Sequence, residues 1–228
     1  MKKQIVTIVL VAMATMSMYA QTDKPIFHGN VFVGTNVRIV NFGTTKYNDG
    51  SSTKQPKLGS QIGASLDMCW KIEDVEMRVT PAIMYISESF TEKEVQQWNN
   101  IGVSHLDLYN KFSFSKLYAS LCFGAHTPVG LMIYAGVYYG HYQSIKWGTV
   151  KKQYNYNGQL ADEQELGPSD LVESGEVEPS DFGFTMGLRK EISKYHIYFD
   201  LGYNKTGGYD YHNLNNERSV TLSVGYHF

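Results

Sequence analysis

Seven charged side chains recur at intervals that strand alternation would place on one side of a sheet: Arg38, Asp67, Lys71, Glu76, Arg78, Arg189 and Asp200. Both signs are present, so the first chemistry open to them is pairing. If residues 72–74 and 192–195 are hairpin turns, Lys71 faces Glu76, Cys69 faces Arg78 and Asp67 faces Thr80, with Asp67 diagonal to Arg78. On the second hairpin Glu191 faces His196, Arg189 faces Tyr198 and Asp200 is diagonal to Arg189. Such a set can act as a gate or proton path, or as a polar plug that satisfies charges inside a narrow enclosure.

Other reactive residues give weaker signals. Seven histidines (His28, His105, His126, His141, His196, His212 and His227) show no metal-ligand spacing, so no metal and no cofactor is expected. Ser104, His105 and Asp107 suggest a hydrolase, but neighbours on a strand point to opposite faces, which argues against a nucleophile and base pair. Neither a nucleophile elbow nor a phosphate-binding loop is present, and the expectation is a protein without catalysis. Cys69 and Cys122 read as free interior thiols.

The elements that position these residues are strands. Reading every second residue gives eight segments: Val31–Ile39, Ile62–Trp70, Val75–Tyr85, Leu117–Ala125, Ile133–Tyr139, Phe182–Leu188, Ile197–Tyr203 and Val220–Phe228. Their 38 alternate positions carry no charge. The 39 interleaved positions hold all seven charges together with Gly, Ser, Thr and Asn. A period of two puts the two sets on opposite faces, and about ten residues is the length of a tilted membrane-crossing strand.

Alternation alone fits a soluble ligand-binding barrel, apolar inside, or a membrane barrel, apolar outside. Three features select the second. The polar face is compact and mixed in charge. Connections alternate between long (41–57, 91–114, 146–181 and 205–217) and short (72–74, 127–130 and 192–195). Apolar-face aromatics cluster at two levels, Trp70, Tyr195, Tyr226 and Phe228 at the short-turn end and Tyr85, Tyr139, Phe182 and Tyr203 at the other. The prediction is an all-β fold, an eight-stranded antiparallel up-and-down transmembrane β-barrel with a plugged lumen. Pro81, which cannot donate to a ladder, predicts a bulge at 80–82.

Residues 1–20 have a basic start at Lys2 and Lys3, an apolar run from Ile5 to Ala14 and a small residue at Ala20, the pattern of an export signal ahead of a barrel domain at 21–228. The expected location is the outer membrane, in contact with its lipid and lipopolysaccharide. With 20 basic against 22 acidic residues, no nucleic-acid partner is implied. Eight acids fall within 162–181, and residues 153–188 contain no Lys or Arg, which predicts a mobile acidic loop in 146–181, a place for a surface protein partner. Segment 102–114 fits either a strand extension or a short helix.

Pro81-Ala82-Ile83-Met84-Tyr85, Tyr134-Ala135-Gly136-Val137-Tyr138-Tyr139-Gly140, Asp200-Leu201-Gly202-Tyr203 and Leu222-Ser223-Val224-Gly225-Tyr226-His227-Phe228 together resemble the PorT-like outer-membrane β-barrel domain family of Bacteroidota. The implied architecture is similar to OmpX-like eight-stranded barrels, and the resemblance implies fold and location, with an accessory role in secretion as one functional expectation. The terminal Tyr226 and Phe228 resemble the signal read by the barrel-assembly machinery, although Gly225 lies closer to the end than in the proteobacterial pattern.

Overall fold

The computed structural model describes residues 26–39, 44–47, 50–72, 75–100, 103–174, 180–206 and 218–228. The export signal read in residues 1–20 and the last long connection at 207–217 lie outside the described residues. Ten strands are present among those described: β1 Ile26–Arg38, β2 Thr44–Tyr47, β3 Gly50–Ile72, β4 Val75–Asn100, β5 Val103–His126, β6 Leu131–Tyr154, β7 Leu160–Asp170, β8 Ser180–Ile192, β9 Ile197–Thr206 and β10 Arg218–His227.

Eight of them close a ring in the order β1, β3, β4, β5, β6, β8, β9, β10 and back to β1, each pairing antiparallel. β2 and β7 stand outside the ring, added to β3 and β6. Closure satisfies every strand edge within the ring. Beyond the last β1–β10 ladder pairs, Gly29 and Phe228 exchange both backbone bonds, at 3.1 and 2.9 Å. The Phe228 ring lies so near Gly29 that a Cβ there would sit 2.5 Å from it, which is why a residue without a side chain occupies the seam.

The two faces divide as alternation predicts. Val33, Ile62, Ile83, Leu117, Ile133, Phe184, Leu201 and Leu222 are exposed on the outside. Asn36, Gln61, Asp67, Arg78, Thr185, Arg189, Asp200 and Thr221 are buried within. This polarity is the reverse of a soluble barrel's. The aromatic levels also hold, with Tyr195, Tyr226 and Phe228 exposed at the short-turn end and Tyr85, Tyr139 and Phe182 at the other.

Where described, the long connections at 41–57, 91–114 and 146–181 are largely strand, which corrects the expectation of loops. β3 to β6 run for 23, 26, 24 and 24 residues, whereas β1, β8, β9 and β10 run for 13, 13, 10 and 10. Of the segment 102–114, residues 103–114 belong to β5, so the strand extension holds there and the helix does not. In the described part of the acidic stretch, residues 160–170 are not a loop but strand β7, which pairs along β6, and Glu163 meets Lys152 at 3.1 Å. Lysines at 151 and 152 on β6 supply opposite charge to the strand that pairs beside them, and so offset the acid–acid repulsion.

Pro81 produces no bulge. The β3–β4 ladder pairs Ser65 with Ala82 and Met68 with Val79 in one register, skipping Leu66 and Asp67, and Pro81 itself pairs with Leu121 on β5. Omitting two ladder pairs accommodates the missing N–H without an inserted residue. Register shifts lie elsewhere, two of them at Lys57/Ser60 against β4 and at Ser115/Lys116 against β6, where the ring gives way to the protruding sheet.

Candidate functional site

The lumen gathers the polar side chains in three layers. At the short-turn end Asp67, fully buried on β3, accepts from Arg78 Nη1 at 2.9 Å, Arg189 Nη1 at 3.2 Å and the Thr80 hydroxyl at 2.7 Å. Arg189 also pairs through Nε with Asp200 at 3.1 Å and lies 4.3 Å from the centre of the Tyr198 ring. Arg78 further pairs with Glu76 at 2.9 Å and with Glu191. At this end each of Asp67, Arg78, Arg189 and Asp200 meets an opposite charge, as the cost of isolated charge in such a setting demands.

Of the predicted residues, Asp67, Glu76, Arg78, Arg189 and Asp200 come together here. Lys71 stands opposite Glu76 in the ladder but is exposed, and the Glu76 carboxylate turns to Arg78 instead. The second hairpin is shifted by two: Arg189 faces Asp200 directly and Glu191 faces Tyr198, because Ser193–Tyr195 forms a 3-10 turn closed by His196 at φ 55°. A shift of two keeps every side chain on its face, so the ion pair forms with a different partner geometry.

Arg38 lies apart from this group, at the other end of β1. Its guanidinium carbon is 4.0 Å from the centre of the Phe114 ring and 5.6 Å from that of Phe90. Above it Phe90, Phe114, Tyr142, Ile145 and Leu171 form a buried cluster that covers the lumen mouth. Leu171 is carried there by the turn after β7, held by its N–H to the Ile145 carbonyl at 2.9 Å. Asp170 anchors the same turn, accepting from the Ser144 hydroxyl at 2.6 Å and the Val172 N–H at 3.0 Å. Those bonds hold the Asp170 carboxyl below its ordinary range, the hydroxyl contributing most.

Between the ends Tyr118 stacks on Tyr138 with ring centres 4.3 Å apart, beside Ile86. Lys116 meets Asp181 at 3.2 Å, and Asn36 donates to Glu88 at 3.0 Å. Sequence reasoning missed Lys116, Asp181 and Glu88 because each lies one to three residues beyond an apolar run; extending the period of two past those runs finds all three. A cavity of about 60 Å³ lies beside Arg189, Asp200, Tyr134 and Asn204, room for a few waters.

Asp67, Glu191 and His227 bring ligand atoms within 4.8 Å of one another, a spacing a metal ion could use. The Arg78 guanidinium pairs with both carboxylates there, so their charge is already met. Cys69 and Cys122 are free and buried, as expected. Ser104 and His105 do approach, Oγ to Nδ1 at 3.1 Å, contrary to the alternation argument, which breaks down at this strand end. The shortest bond of that hydroxyl runs to the Asn155 carbonyl at 2.7 Å, and Asp107 is held by Lys93 at 2.8 Å. Tyr226 is exposed on the outer face, beside the terminal Phe228 at the seam.

No protein-family model matches the sequence, and no curated protein matches it either. Among solved structures, Neisserial surface protein A is 14% identical with a TM-score of 0.39, covering 90% of this chain and 98% of that one. Ail, the attachment invasion locus protein of Yersinia pestis, is 11% identical with a TM-score of 0.36, covering 88% and 98%. The translocator domain of the autotransporter NalP from Neisseria meningitidis is 11% identical with a TM-score of 0.26, covering 98% and 96%. At these values the reading of this chain rests on its own residues.

Proposed function

We propose that this chain is an outer-membrane barrel with a surface-interaction role, a closed membrane anchor that holds a rigid sheet out for contact. The observation that carries the reading is the inequality of the strands. About ten residues cross a bilayer, so strands of 23 to 26 residues leave more than ten beyond it, about 40 Å along the strand. The plugged lumen supports an anchor over a channel, and in this reading the chain has no catalytic residue. A PorT-like accessory role in secretion is compatible with the same architecture, as are export by a cleaved signal at 1–20 and insertion by the barrel-assembly machinery through Tyr226 and Phe228.

The test compares cells carrying the intact chain with cells in which residues 155–169 are replaced by a short Gly-Ser linker, leaving Asp170 and Leu171 in place. Surface cross-linking should capture a partner with the first and lose it with the second, while both fractionate with outer membranes. Equal capture by both would end the role given to the β6–β7 edge. Recovery in the soluble periplasm would end the membrane reading itself.

A further inference from the structure

Just above the exposed apolar belt, the outer face changes character within one ladder step. Tyr85, Leu117 and Tyr139 are exposed at the top of the belt. The next outward row is Ser60, Ser87, Ser115 and Ser144, joined by direct register across β3, β4, β5 and β6. The row above it is Lys57, Ser89, Ser113 and Lys146, also in register, with Lys111 next along β5. Lys57, Lys111 and Lys146 are exposed, and none is ion-paired among the described residues.

An open groove of about 640 Å³ is set into these rows, lined by Tyr85, Ser87, Ser113, Ser115, Ser144 and Lys146, with Pro168, Asp170 and Glu173 forming the wall beyond β6. That size falls within the roughly 300–1,000 Å³ of small-molecule sites. The Asp170 carboxylate is occupied by the Ser144 hydroxyl and by backbone N–H groups, so the charges the groove presents are Lys146 and, on the far wall, the exposed Glu173.

We propose that this groove holds the headgroup of a phosphorylated glycolipid of the outer leaflet, with its acyl chains on the belt below. Lys146 in the groove, with Lys57 in the same row across β3 to β6 and Lys111 next along β5, matches the phosphates of an extended headgroup, and hydroxyls spaced across neighbouring strands match a sugar's oxygens. The vertical order, apolar then aromatic then hydroxyl then cation, is the order met along an amphiphile from tail to headgroup. The inference rests on the outer face being lipid-facing, as read under Proposed function.

The test is native mass spectrometry of the purified full chain in detergent, titrated with bisphosphorylated lipid A. The combined variant Lys57→Gln, Lys111→Gln and Lys146→Gln should bind at least about tenfold more weakly. The matching variant at the opposite end, Lys71→Gln, Lys190→Gln and Lys194→Gln, should bind like wild type. Heat-modifiable gel mobility retained by both shows that they fold. Dephosphorylated lipid A should bind the wild type as weakly as lipid A binds the first variant. Equal affinity of the two variants, or equal binding of phosphatidylglycerol and lipid A, overturns the site. Failure of the wild type to partition into phosphatidylcholine vesicles would instead overturn the lipid-facing reading beneath it.

Discussion

Asp67 and Arg189 stand on β3 and β8, four strands apart in either direction around the ring of eight, and yet their side chains meet at 3.2 Å. A contact between diametrically opposed strands means that side chains span the lumen at that level. Removing the shared acceptor leaves two buried guanidiniums with one fewer partner each. Asp67→Ala should therefore destabilise the barrel by about 3–5 kcal/mol, read as a lower urea midpoint in unfolding from detergent micelles. An unchanged midpoint would show that the network contributes little.

The outer face should reject charge where the lumen accepts polarity. Leu201→Arg, on the exposed belt, should cost about 2–4 kcal/mol or prevent insertion. Thr185→Asn, beside the interior cavity, should be far milder. Refolding into vesicles measures both, and equal tolerance would contradict the assignment of faces.

Gly225 tests the packing of the plug. A Cβ at this position would lie 2.0 Å from Tyr198, whose ring is buried against Arg189. Gly225→Ala should cost about 1–3 kcal/mol through displacement of that ring. Thermal unfolding monitored by circular dichroism would register the loss.

The faces of the ring were legible in the sequence because the outward and inward neighbours of Leu201, Thr185 or Leu222 differ in polarity at every step. The protruding sheet was not. Around Thr91, Lys93, Asn110 and Lys111 both faces are polar, and a period of two between two polar sets leaves no signal. The Arg189–Asp200 partnership was found as a diagonal and proved direct, since hairpin register depends on the left-handed His196, a property of the turn that apolar alternation does not encode. Arg38 was grouped with the other charges by face alone; its height in the lumen, among Phe90 and Phe114, follows from strand length.

Acidity should loosen the turn that carries Leu171. The Asp170 carboxyl is held below its ordinary value of 3.8, so its contribution is complete above that value and is lost as pH falls through the lowered one. An NMR titration following the Val172 N–H should show its midpoint below 3.8. Ser144→Ala, which deletes the largest stabilising bond, should move that midpoint upward. A midpoint at or above the ordinary value in the wild type would contradict the anchoring role.

The closed lumen is the central claim, and single-channel recording tests it most directly. Purified protein inserted into planar bilayers should give no large, stable conductance steps. The Asp67, Arg78, Arg189 and Asp200 network blocks one end, and the cluster of Phe90, Phe114, Tyr142 and Leu171 covers the other. Regular porin-like steps from the folded wild-type chain would contradict the account.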